Sequence, residues 1–174
     1  MPVDVVADAI FQIRDCPVSV LRQGLRSRSV PTRAVTVELL GRFQALAAAD
    51  DVIDVLHHDP SVEVRARAAR CLGRMGTPRA VAPLLACVGD GPVAMRVQAI
   101  WALGQIGDPQ AVPVLRGIVM EPSIQMGELA ALALLAMGQH GVRALTELAG
   151  GDDTTATIAA GVLASGRDLE PSLR

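Results

Sequence analysis

The chain has 174 residues, enough for one domain or a short array of repeated units, and a formal net charge of −2, with 16 basic residues against 18 acidic. No field of one sign surrounds it, which argues against nucleic acid as a partner, and because all 16 basic residues are Arg there is no amine for a Walker-type phosphate loop or a lysine Schiff base. Apolar residues make up 51% of the chain and aromatic ones only 2%, a composition suited to tightly stacked, small-faced helices and not to a groove of stacking rings.

The start of the chain, Met1 to Ile13, carries Asp4 and Asp8 and has no basic region ahead of an apolar one, so it does not read as a secretion signal. Val3 to Arg14, with Val5, Val6, Ala9, Ile10 and Ile13, and then Pro17 to Leu25 read as a degenerate leading helix pair over 1–27. In 28–58, Val30, Arg33, Val37, Leu40 and Gly41 open a first hairpin, and Asp51 to His58 supplies a short partner helix ending in His57 and His58. The segment 59–89 is the most regular. Ser61 to Met75 places Val62, Val64, Ala68, Ala69, Leu72 and Met75 on one side at spacings of three and four, with Arg65, Arg67, Arg70 and Arg74 interleaved. Asp59 or Ser61 can cap it, Gly76 ends it, and a second helix from Pro78 runs to the breaker Gly89-Asp90-Gly91-Pro92.

A fixed step of 31 residues then reappears. Asp59, Val64, Arg65, Leu72, Gly73, Gly76, Pro78, Ala80, Val81 and Leu84 recur as Asp90, Met95, Arg96, Leu103, Gly104, Gly107, Pro109, Ala111, Val112 and Leu115 in 90–120. The copy in 121–150 keeps Met126, Leu134 and Gly138, but Gly127 stands where Arg stood and Leu135 where the inner Gly stood. Inner glycines cost a helix stability relative to Ala, so Gly73 and Gly104 imply close approach of neighbouring helices. Thr154 to Ala164 forms a last, sparsely charged helix in 151–174, followed by a polar tail from Ser165. The whole is one all-α array of about eleven helices without a sheet. The uncharged stretch Leu129 to Val142 is too short to cross a bilayer, which takes roughly 20 residues.

The pattern D-P-x-V-x-V-R-x-x-A-x-x-L-G-x-x-G-x-P-x-A-V at 59–81, largely repeated at 90–112, resembles HEAT repeats, in particular the variety first described in phycobilin lyases. The resemblance implies a right-handed α-solenoid of stacked antiparallel helix pairs, with first helices on the convex side and second helices lining the concave side. It also implies that Arg65 and Arg96, with Asp59 and Asp90, form an Asp–Arg ladder between units. An iron hydroxylase of this type carries His-Glu pairs where this chain has Ala66-Arg67 and Val97-Gln98, so that activity is not expected. A lyase-like pigment chaperone would favour aromatic residues in the concave cavity, where Phe11, Phe43 and Trp101 are all this chain possesses.

Nothing points to catalysis. Cys16, Cys71 and Cys87 are odd in number, lack metal-type spacing and read as reduced core residues. His57 and His58 are adjacent on a helix and make a poor chelate, and no cofactor or metal is expected. On the second helices, Arg22, Arg26, Asp51, Asp54, Arg79, Arg116, Arg143 and Glu147 mix signs. On the outward row of the first helices, Arg70, Trp101 and Leu132 follow one another, with Arg67, Gln98 and Leu129 a turn away, so the face turns from charged to apolar. The helix of Ser123 to Met137 has Glu128 as its one charge and needs covering on more than one side. Trp101, Leu129, Leu132 and Arg70 are therefore the candidate partner-binding residues; the alternative for Trp101 is local packing, stacked on Arg70. The expected function is a cytoplasmic, bacterial, non-catalytic scaffold for a protein partner, or the soluble part of a larger protein, able to self-associate through uncapped ends. The alternative is a ligand-handling or enzymatic HEAT protein working through its concave face.

Overall fold

The computed structural model describes residues 18–151 and 153–169, so the helix expected over Val3 to Arg14, and Cys16, lie outside the described residues. Among those described there are ten α-helices and no strand. In chain order they are α1 (Val18–Gly24), α2 (Val30–Arg42), α3 (Ala49–His58), α4 (Val62–Met75), α5 (Val81–Asp90), α6 (Val93–Ile106), α7 (Val112–Val119), α8 (Ile124–Ala136), α9 (Gln139–Leu148) and α10 (Thr154–Leu169). Single 3-10 turns, Leu46–Ala48, Pro78–Ala80 and Pro109–Ala111, lead into α3, α5 and α7. The chain divides into two compact units inside α6, between Ala102 and Leu103. In the first unit α4 packs on α2 and α3; in the second α8 packs on α7, α9 and α10.

Local signals set most boundaries. Ser29, Ser61 and Ser123 sit at N-caps of α2, α4 and α8 and accept hydrogen bonds from the backbone N–H groups of Thr32, Val64 and Met126. Gly76, at φ 63° and ψ 24°, closes α4 in the left-handed conformation, its N–H returning to Leu72 and Gly73. The equivalent place after α2 is taken by Gln44, at φ 47°, whose side-chain amide donates to the carbonyl of Arg74 at 3.2 Å. Gly138 departs from the expected cap. Helix α8 closes on Met137, and Gly138, at φ 66° and ψ −138°, is the joint that redirects the chain into α9. Two other bounds are corrected: α5 runs through Asp90, so the break comes at Gly91, and α10 continues past Ala164 to Leu169 where a polar tail was expected.

The repeat step is the core itself. Leu40, Leu72, Leu103 and Leu134, one per first helix, are fully buried, as are Leu84, Leu115 and Leu145 from the second helices. The inner glycines hold the first helices close. A Cβ on Gly41 would lie 3.2 Å from the Cα of Cys71, on Gly73 2.7 Å from that of Ala102, and on Gly104 2.8 Å from that of Ala133. At the last such contact the sizes are exchanged. Leu135 replaces the glycine, and opposite it on α10 stands Gly166, whose Cβ would meet Leu135 Cδ2 at 2.9 Å. Gly127, which replaces the repeated Arg, leaves room for Ile158, whose Cδ1 would lie 3.3 Å from an added Cβ. Both departures of the third copy are thus matched by α10, which covers one side of the apolar α8.

The ladder also differs from the expected one. Asp59 is buried and is gripped by Arg33 of the preceding pair, not Arg65: Nε to Oδ2 is 2.6 Å and Nη2 to Oδ1 2.9 Å. The Asp59 carboxylate also accepts from the N–H of Ser61 at 2.8 Å, and Arg65 donates instead to the Asp59 carbonyl at 2.5 Å. Asp90, exposed at the end of α5, shows no such pair with any described residue, and Arg96 donates to the carbonyl of Val88 at 3.0 Å.

Candidate interaction surface

Arg67, Arg70 and Arg74 recur on α4 at spacings of three and four and so share one side of it. With Glu38 from α2 and Glu63 one turn earlier on α4, they line a groove together with Ala66 and Cys71 of α4 and Ala94 and Val97 of α6. The two carboxylates are already engaged. Arg67 holds Glu38 at 3.2 Å and Glu63 at 3.0 Å, and Arg74 reaches the other oxygen of Glu38 at 4.0 Å. Arg70 is exposed and makes no hydrogen bond or ion pair with any described residue. Partly exposed pairs of this kind contribute about 0.2–1 kcal/mol each, so they add little to the stability of the fold.

The candidate residues separate by unit. Arg70 lines the α4–α6 groove, and Trp101, half-buried one turn beyond Val97 and Gln98, lies against Gly73, its Cζ3 3.1 Å from where a Cβ would be. The missing side chain at Gly73 is what admits the indole. Local packing therefore accounts for part of Trp101, against Gly73 and not through a described contact with Arg70. In the second unit Leu129 is half-buried and Leu132 is 51% exposed. Leu132, Ile124 and Glu128 line a second groove with Thr154, Thr157 and Val162 of α10. Sequence reading missed Glu38, although it stands 32 residues before Arg70 at the same outward position, and the grip of Arg33 on Asp59, although the match of Arg33 to Arg65 at a step of 32 was a usable signal.

The mixed charges of the second helices mostly pair with one another. Arg22 meets Asp51 at 2.8 Å and the carbonyl of Ala47, Arg79 meets Asp50 at 3.3 Å, and Glu147 takes both Arg116 and, at 3.2 Å, Arg143. Hydrogen bonds from Arg116 and then Arg143 hold the Glu147 carboxyl below its ordinary value. His58 Nδ1 lies 2.8 Å from Asp54, and among the described residues no three His, Cys, Asp or Glu side chains converge on a common point. Burial pushes the Cys71 thiol up to about 12, against a smaller opposing effect of Arg74, and raises that of Cys87. Thiols in that state are protonated at neutral pH and are poor nucleophiles.

A family model described as HEAT repeats matches residues 18–96 and 88–164. The chain belongs to the HEAT-repeat family. Its all-helical fold is the α-solenoid class built from stacked antiparallel helix pairs. No curated protein sequence matches it. Among solved structures, it is similar to a chain in the complex of CpcE and CpcF of phycocyanin lyase from Nostoc sp. PCC7120, with 18% identity over 87% of this chain and 77% of that one, at a TM-score of 0.54. At that identity the likeness shows the fold alone. No helix among the described residues is long and apolar enough to cross a membrane.

Proposed function

We propose that this HEAT-repeat protein is a non-catalytic scaffold that binds a protein partner on the outward face of its first helices, centred on the α4–α6 groove. One observation carries the reading: among groove charges that are otherwise taken up internally, Arg70 lines the groove with Ala66, Ala94 and Val97 and has no described partner. An exposed Arg in the groove and a half-buried Trp one turn beyond its lining are residue types that anchor interfaces, able to combine a directed hydrogen-bonding fork with large apolar contact. The occurrence of a related fold in a complex of two chains supports the same reading.

The test is capture from a native lysate by immobilised wild-type protein beside Arg70→Glu and Trp101→Ala, each first shown to unfold cooperatively like the parent. At least one protein retained by the wild type and lost from both variants is the expected result. Identical retention by all three sinks the proposal, as does purified protein that absorbs visible light or carries stoichiometric metal, which favours the ligand-handling alternative.

A further inference from the structure

The groove has a counterpart on the same chain. On α8, Ile124, Glu128 and Leu132 follow one another at four-residue spacing, a stripe about 12 Å long with a carboxylate at its centre and an apolar side chain about 6 Å to either side. Ile124 is 55% and Leu132 51% exposed, and Glu128, the one charged residue of α8, is exposed and makes no ion pair or hydrogen bond with any described residue. The α4–α6 groove offers the opposite charge: exposed Arg70 lines it together with Ala66, Ala94 and Val97, and Trp101, one turn beyond Val97 on α6, is seated on Gly73 of α4.

We propose that the Ile124–Glu128–Leu132 stripe of one copy docks in the α4–α6 groove of a second copy, Glu128 meeting Arg70 and Leu132 or Ile124 lying against Trp101. This inference rests on the reading of the groove as a docking surface and names its occupant. Opposite charges meet where each lacks a described partner, and the apolar side chains that flank the carboxylate on α8 meet the apolar part of the groove lining, so the two terms act at one place. A net charge of −2 offers little repulsion between copies. Because groove and stripe are different surfaces, the contact is heterologous and extends from copy to copy unless its rotation closes a ring.

The experiment is sedimentation velocity with the full chain from low micromolar to near-millimolar concentration, read in parallel with the emission of Trp101, the single tryptophan. Arg70→Glu, Glu128→Arg and the double exchange are compared, with unchanged circular dichroism and unfolding midpoint as the control for folding. The expected result is a mass that rises with concentration together with a blue shift of Trp101. Each single reversal weakens association by about tenfold or more, and the double exchange restores it to near the parent value. A monomer at all concentrations overturns the proposal, and so does association that the single reversals leave unchanged or the double exchange fails to recover. If the protein stays monomeric while lysate capture still depends on Arg70, the groove keeps its docking role and only the second copy is ruled out as occupant.

Discussion

At the scale of single residues, Asp59 does the most for its size. Burial of its carboxyl disfavours the charged form, but the hydrogen bonds from Arg33 and from the Ser61 N–H, with the nearby charges of Arg33 and Arg65, outweigh that and hold its pKa below the ordinary 3.8. The folded state therefore binds the proton less tightly than the unfolded one. The stabilisation is fully present above pH 3.8 and is lost as the pH falls through the lower, folded value. Removing one partner of a buried pair leaves the other charge uncompensated, so Asp59→Ala is expected to cost about 3 kcal/mol or more, measured by urea unfolding at neutral pH. Asp59→Asn keeps the acceptor for Ser61 and removes the titration. Its stability relative to the parent should be lowest at neutral pH and converge with the parent in acid. Parallel curves across the acid range would show that the pair contributes nothing pH-dependent.

At the scale of helices, contact is governed by where side chains are missing. A Cβ on Gly73 would stand 2.7 Å from backbone of α6, whereas one on Gly161, inside α10, meets nothing within 4 Å. The same substitution is thus expected to act with opposite sign at the two sites. Gly161→Ala gains about 0.5–1 kcal/mol from helix propensity, while Gly73→Ala, whose neighbour is main chain that must move, loses about 1–3 kcal/mol despite the same gain. Denaturant midpoints at constant slope give both numbers; equal stabilisation by the two changes would mean that the helices have room to separate. These positions also explain what was legible in the sequence. Leu72, Leu103 and Leu134 announced the core and Gly73 and Gly104 the close crossings, because successive repeats that meet the same packing problem solve it with the same residue. Gly127 and Leu135 looked like lost features when read against the preceding copies. Their reasons, Ile158 and Gly166, lie one step further along in a helix too weakly patterned to align. The groove was half legible: Arg70 and Trp101 stood out on the outward row, but Glu38, at the same position one copy earlier, pairs with Arg67 and leaves Arg70 as the uncommitted charge, a choice of partner that the repeat step does not show.

At the scale of the molecule, packing is serial. Helix α4 rests on α2 and α3, and α8 on α7, α9 and α10, so each fully buried leucine is surrounded by elements close to it in sequence. In such an array stability is a sum of unit and neighbour terms, and damage stays near its origin. Leu134, in the last turn of α8 and fully buried, tests this. Leu134→Ala removes apolar contact and leaves a cavity, a loss of about 2–5 kcal/mol that falls on the second unit. Amide exchange followed by mass spectrometry is expected to show protection collapsing over α8, α9 and α10, while α2 and α4, whose buried Leu40 and Leu72 are untouched, keep theirs. A uniform loss from α2 to α10 would instead mean that the chain opens as one cooperative body, and that the division inside α6 has no energetic counterpart.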